Sequence, residues 1–119
     1  LNINLKNYKN KDRNFFLLSK GHGETLLYAV LVEKKIISEN QFRNHYRSGS
    51  HVLGGHVDIK TPGIEITSGA LGHGLSIGCG IALGNKLLKS KKNTFVLLGD
   101  AECSEGTIWE AALFAKKIN

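Results

Sequence analysis

The chain has 119 residues, with 41% hydrophobic and 22% charged side chains, one proline and a formal charge of +6. That composition supports a buried core and excludes a disordered or collagen-like chain. No run of 18 apolar residues could span a membrane, and two cysteines, Cys79 and Cys103, without a CxxC exclude a disulfide framework.

The length suits one domain, although a single confident strand makes residues 1–119 read as an incomplete one. The N-terminal stretch lacks the apolar centre of a signal peptide, so a reduced, cytoplasmic protein is expected. The lysines and arginines cluster weakly at Lys6–Arg13 and Lys86–Lys92. Without an aromatic-interleaved basic stripe or zinc-finger spacing, they read as solvated surface or as attraction for a small anionic ligand, not as a nucleic-acid interface.

Along the chain, Lys11–Leu18 leads into a short strand or extended entry, FFLLS. Gly23–Lys35 carries Leu26, Leu27, Ala29, Val30 and Leu31 and predicts a mostly buried helix. Ser38 with Gln41 three residues on is a capping box, opening a short helix to about Tyr46. Arg47–Glu65 holds the only proline and reads as a long irregular loop of the functional kind. Leu71–Leu88 predicts a helix that begins in glycines. Asn93–Leu98 predicts a continuous apolar strand of a buried parallel sheet. Thr107–Lys117 predicts an amphipathic helix with Trp109, Ala112, Leu113 and Ala115. This order predicts an α/β fold, a parallel sheet flanked by helices.

Glycine marks the candidate site. Six of the 14 glycines fall within positions 69–84, where each costs a helix about 1 kcal/mol relative to alanine. Such density points to a loop or to a backbone that something approaches closely. Thr67–Gly74 is a glycine-rich entry to a helix, whose free N–H groups suit an anion, but it is neither GxGxxG nor a Walker loop. Farther on, an apolar strand ends in Gly99-Asp100 and a helix follows. The carboxyl ends of strands form the ligand crevice of open α/β sheets, and an Asp there can hold a divalent cation or simply cap the next turn. Glu102 and Glu105 follow closely and read equally well as first-turn charges favoured by the helix dipole. His22, His56 and His73 each follow a glycine, which places them in loops or helix starts. His45 and His51 read as packing or surface residues, and no spacing gives a zinc site.

In order, Asp12-Arg13, Phe16-Leu-Leu-Ser-Lys-Gly-His22, Gly55-His56, Thr61-Pro-Gly-Ile-Glu65, Ser68-Gly-Ala-Leu-Gly-His-Gly-Leu75 and Gly99-Asp100-Ala-Glu…Glu105-Gly-Thr-Ile-Trp-Glu-Ala-Ala112 resemble the N-terminal, diphosphate-binding domain of transketolase. The likeness is nearest to the split type, in which this half is a separate subunit. It runs from about Lys11 to Lys117. The GHG…TPGIE…GALGHG spacing resembles transketolase more than a deoxyxylulose-phosphate synthase or a 2-oxo-acid dehydrogenase component.

The resemblance implies the thiamine diphosphate-binding fold and a thiamine diphosphate- and Mg²⁺- (or Ca²⁺-) dependent transfer of a two-carbon ketol unit between sugar phosphates, as in the pentose phosphate pathway. It implies that His22 hydrogen-bonds the diphosphate and that Gly69, Ala70 and Leu71 line the cofactor through their backbone. It implies Asp100 as metal ligand, Ala101 as an N–H donor to the diphosphate, His56 facing the donor sugar and Glu105 at a subunit interface. The implied partner is a pyrimidine-binding C-terminal subunit or domain carrying an activating glutamate, in a homodimer or heterotetramer. There are departures. The family's asparagine metal ligand lies farther along than Asn119, which is not assigned to that role. Ala101 stands where glycine is usual and would be strained at φ > 0. His73 stands where glutamine is common. The chain thus looks truncated at both ends, and alone it is expected to be inactive. A non-catalytic assembly module of the same fold is the alternative.

Overall fold

The computed structural model describes residues 7–10, 12–48 and 54–118. Lys6, Lys11, His51 and Asn119 lie outside the described residues. Two short apolar segments form a parallel pair, β1 (Phe15–Leu18) and β2 (Thr94–Leu97), with Phe15 opposite Thr94 and Leu18 opposite Leu97. Parallel neighbours need a long crossover. Here it contains α1 (Glu24–Glu33), α2 (Glu39–Arg43), a loop and α3 (Gly74–Leu87), and after β2 the chain ends in α4 (Gly106–Ile118). Helix, strand and parallel pairing follow the α/β expectation.

Alternation along the strands gives each face its own cover. On one face α3 lies directly on the sheet. A Cβ at Gly78 would strike the Val96 methyl, and it would meet Thr94 Cγ2 at 3.7 Å and Leu17 Cδ2 at 3.9 Å. Only glycine lets the helix come this close. α4 then packs on α3, burying Ile108 and Ala111 and bringing the Ala111 carbonyl to the Cys79 thiol, 3.5 Å away. On the other face, Leu18 joins Tyr28, Leu31, Ile36, Ile37 and Val57 in the main core. Each such apolar side chain contributes about 1.5–3 kcal/mol by burial.

Local signals set the helix ends. The Ser38–Gln41 capping box forms in both directions, and α2 then gives way to turns, shorter than the expected run to Tyr46. α1 ends in a Schellman motif. Lys35 takes φ +57°, its N–H donates to the Val32 carbonyl at 2.8 Å, and the Ile36 N–H donates to Leu31 at 2.9 Å. Ile36 thereby folds back on Leu31, and both enter the core.

One expectation about burial fails. α1 is not mostly buried: it buries Glu24, Tyr28 and Leu31, while Leu26, Ala29 and Val30 are exposed. Its inward stripe carries two polar side chains, Glu24, which accepts the Tyr46 hydroxyl, and Tyr28, whose hydroxyl meets the Gly54 and His56 carbonyls. In α4 the apolar side turns outward, with Trp109, Leu113 and Phe114 exposed, as are Phe95 and Leu97 of β2. Among the described residues, the core packed on β1 does not extend over β2 on that face, and no element covers the outer side of α4. No helix among them is long and apolar enough to cross a membrane.

Candidate cofactor site at the strand ends

Both strands end toward the same edge, and the glycine segment lies across it. Beyond Leu18 the ladder continues one step, Ser19 N–H donating to the Leu97 carbonyl at 3.0 Å. Ser19 is fully buried, and its hydroxyl accepts the Gly74 N–H at 3.1 Å, fixing the start of α3 over the end of β1. The approach is close: a Cβ on Gly74 would sit 2.5 Å from Ser19 Cβ and 2.8 Å from its Cα.

The central group is Glu102. It lies in the 3-10 turn Ala101–Ser104 that follows β2, and it is 1% exposed. Its Oε1 accepts the Ser19 hydroxyl and the Gly72 N–H at 2.9 Å; its Oε2 accepts the Gly99 N–H at 2.9 Å. One carboxylate thus joins the end of β1, the glycine turn and the end of β2. Burial works to raise its pKa, but the Ser19 hydroxyl, the Gly99 and Gly72 amides and nearby His22 outweigh burial and hold the carboxyl below its ordinary value. The expectation that Glu102 supplies first-turn helix charge is therefore corrected. It faces inward, onto Ser19, Gly72 and Gly99. The only local hint is its setting among the small residues Ala101, Cys103 and Ser104, which let a long side chain fold back under a strand end.

The remaining residues frame this clamp. Gly72 takes φ +83°, which an L side chain resists, and its carbonyl accepts the Thr107 hydroxyl at 3.0 Å, tying the turn to α4. Glu105 lies beside Gly72, with its Cγ 3.3 Å from the position of a Gly72 Cβ, and its carboxylate is exposed. Gly21 precedes His22 in the 3-10 turn Gly21–Gly23 and rests on the Ser68–Gly69 backbone; a Cβ there would stand 2.6 Å from the Ser68 oxygen. His22 itself is exposed, on the side where its charge reaches Glu102. His56 packs its imidazole over Gly69, with Cδ2 3.2 Å from a Gly69 Cβ position. Gly69 and Ala70 are exposed beside a cleft of about 420 Å³ that continues along His73, Gly74 and Ile77.

Asp100 sits at the rim. It is exposed and precedes the 3-10 turn without a side-chain capping bond, so the capping reading is not met. Among the described residues no group of three His, Cys, Asp or Glu could enclose a metal. Ala101 is not among the residues with positive φ, so alanine in place of glycine carries no backbone strain. His73 caps no helix bond; its Nδ1 lies 3.0 Å from the Leu71 carbonyl. His45 stacks on Phe42 at 5.2 Å, a packing role as expected. Cys103 points its thiol at the Gly99 carbonyl, 3.1 Å away, and both cysteines are free.

An exposed carboxylate, an exposed glycine backbone and two exposed histidines thus gather around the parallel strand ends. The family model for transketolase, thiamine diphosphate binding domain, matches residues 1–119. The chain belongs to this family. Among similar proteins, an apulose-4-phosphate transketolase subunit from Actinobacillus succinogenes is 43% identical over 115 residues, covering 97% of this chain and 42% of that protein. The protein of the same name from Phocaeicola vulgatus is 46% identical over 105 residues, covering 88% of this chain and 37% of the relative. The chain therefore spans less than half the length of these relatives. Its fold superposes on transketolase from Leishmania mexicana with a TM-score of 0.81 and 30% identity, over 92% of this chain and 18% of that one.

Proposed function

We propose that this transketolase-family chain forms the diphosphate-binding part of an enzyme that transfers a two-carbon ketol unit from a ketose phosphate to an aldose phosphate. In this reading it works with thiamine diphosphate, Mg²⁺ (or Ca²⁺) and a pyrimidine-binding partner chain or domain. The two bacterial relatives above are each named as one subunit of a transketolase, which supports a divided enzyme with a second polypeptide. The observation that carries the reading is the Glu102 clamp, which sets Gly99-Asp100 beside the Gly72 turn and leaves the exposed Gly69–Ala70 backbone facing outward.

This reading gives the residues the following roles. When bound, thiamine diphosphate supplies the electron sink that lets a carbon–carbon bond beside a ketose carbonyl break. Asp100 contributes an anionic oxygen to the cation that neutralises the diphosphate. His22 donates a hydrogen bond to the diphosphate, and the Ala101 N–H donates another. Gly69, Ala70 and Leu71 line the cofactor with backbone, and the missing side chain at Gly69 leaves room for the His56 ring. His56 hydrogen-bonds the donor sugar and holds or releases a proton at its free ring nitrogen. Glu105, exposed beside the glycine turn, meets the partner's activating carboxylate. Glu102 touches neither cofactor nor sugar in this reading; it joins the three segments next to the residues that do.

The test is calorimetric titration of thiamine diphosphate with Mg²⁺ into the chain mixed with a pyrimidine-binding transketolase subunit. Binding is expected in the mixture. An Asp100→Asn change should weaken it by roughly 10–100-fold, the worth of a charge-assisted contact. Unchanged affinity in Asp100→Asn removes the metal assignment, and no binding in the mixture removes the cofactor reading.

A further inference from the structure

The long loop before the glycine segment is closed at a neck. The Ser68 N–H donates to the Val57 carbonyl at 3.2 Å, and the Thr67 hydroxyl accepts the Ile59 N–H at 3.1 Å. Residues 58–67 thus form a compact excursion whose ends meet. The Ser68 hydroxyl donates to the Leu18 carbonyl at 2.7 Å, which pins the neck to the end of β1. His56 and Gly69 flank the neck on its two sides, and this brings the imidazole over the glycine.

One side of that pair needs its own support, because His56 and the glycines before it are exposed. The support comes from inside. Tyr28 of α1 is 0% exposed, and its hydroxyl lies 3.2 Å from both the Gly54 and the His56 carbonyl. A single O–H can serve the two carbonyls in turn or as a shared bond. The hydroxyl oxygen also hydrogen-bonds the side chain of Thr61, which is 1% exposed and sits within the excursion. A phenylalanine would fill the same core space, so packing alone does not require a hydroxyl at this point.

We propose that Tyr28 is a positioning residue, whose buried hydroxyl holds the His56 main chain so that the imidazole stays against Gly69. The catalytic consequence rests on the donor-sugar role given to His56 above. Tyr28 itself touches neither cofactor nor sugar.

The test is Tyr28→Phe in the full chain, followed by NMR. Wild type should give a nuclear Overhauser contact between His56 Hδ2 and Gly69 Hα. Tyr28→Phe should lose that contact and shift the His56 ring signals, while the His22 ring and Gly72 amide signals stay in place. Thr61→Val, which removes the neighbouring hydroxyl but leaves the bond to His56, should keep the contact. An unchanged contact in Tyr28→Phe overturns the proposal, as does its equal loss in both variants, which would mean general loosening. If Tyr28→Phe does not fold, wild type decides: a slowly exchanging Tyr28 hydroxyl proton with a contact to His56 Hα supports the proposal, and its absence overturns it. With a pyrimidine-binding subunit supplied, Tyr28→Phe should raise the KM for the donor ketose about tenfold with kcat changed less than about twofold, the pattern of a lost binding contact. Equal KM values in an active pair overturn the catalytic consequence. An inactive wild-type pair speaks against the function proposed above and leaves the NMR result standing.

Discussion

The tripeptide Gly-His-Gly occurs twice, at 21–23 and 72–74, and the two copies are built differently. In the first, a 3-10 turn leads into α1, Gly21 rests on the Ser68 backbone, and Gly23 has only ordinary contacts, the nearest at 3.6 Å. In the second, Gly72 takes φ +83° and Gly74 presses on Ser19. The histidines differ as well. His22 is near enough to Glu102 to favour its charged form, while the His73 ring sits on its own segment's Leu71 carbonyl. Identical triplets thus carry three tight glycines and one loose one, and one histidine aimed at the site. Local sequence does not encode the distinction, because the crowding atoms come from distant parts of the chain: Ser68 for Gly21, Thr107 for Gly72 and Ser19 for Gly74.

Alanine at the crowded positions should break the comparison hardest. Gly74→Ala drives a methyl into the Ser19 hydroxyl, Cβ and Cα, and Gly21→Ala drives one into the Ser68 carbonyl; neither clash is relieved by turning a flexible side-chain end. Gly72→Ala adds left-handed strain to a clash with Thr107. Each should cost about 2–4 kcal/mol, read as a fall in the denaturation midpoint. A loss below about 1 kcal/mol at all three would mean that the strand ends and the glycine turn are not in contact.

The histidines sharpen the comparison at smaller amplitude. His22→Ala should weaken thiamine diphosphate binding in the assembled pair by about tenfold, the effect of one charged hydrogen bond. His73→Ala should change it by less than about twofold, because the His73 ring is engaged by a main-chain carbonyl of its own segment. Calorimetry of the two variants side by side reads the difference, and equal losses would remove the special standing of His22.

What could be read from the sequence follows the range of the interactions involved. α3 and the Ser38 cap rest on contacts within a few residues, and the strands, though paired at long range, are marked by short apolar runs; all stand near where periodicity and capping place them. The bare outer side of α4 was not legible, since amphipathicity says that a face is apolar but not what lies against it. Nor was Glu102. Asp100, Glu102 and Glu105 look alike as a run of acids, and what separates them is a hydroxyl 83 residues away at the end of β1. The same holds for Tyr28, where the helical pattern finds an apolar ring and the hydroxyl's partners lie 26 and 28 residues farther on.

Gly23→Ala gives the smallest effect and the cleanest contrast with Gly21. The residue has φ −89° and ψ 15°, open to alanine, and a Cβ would meet Leu18 and Lys20 side-chain carbons at 3.6–3.7 Å, ordinary contact distances. Replacing glycine where the backbone permits it stabilises by about 0.4–1 kcal/mol, through the unfolded chain. Against this, Gly23 is the N-cap of α1 and makes no side-chain capping bond, and alanine is a poorer cap than glycine by several tenths of a kcal/mol. The two terms nearly cancel, so the midpoint should move by no more than about 0.5 kcal/mol in either direction. A loss of about 2 kcal/mol would mean that the first triplet is as tightly held as the second, and that the turn beneath His22 is shaped by contacts on both of its glycines.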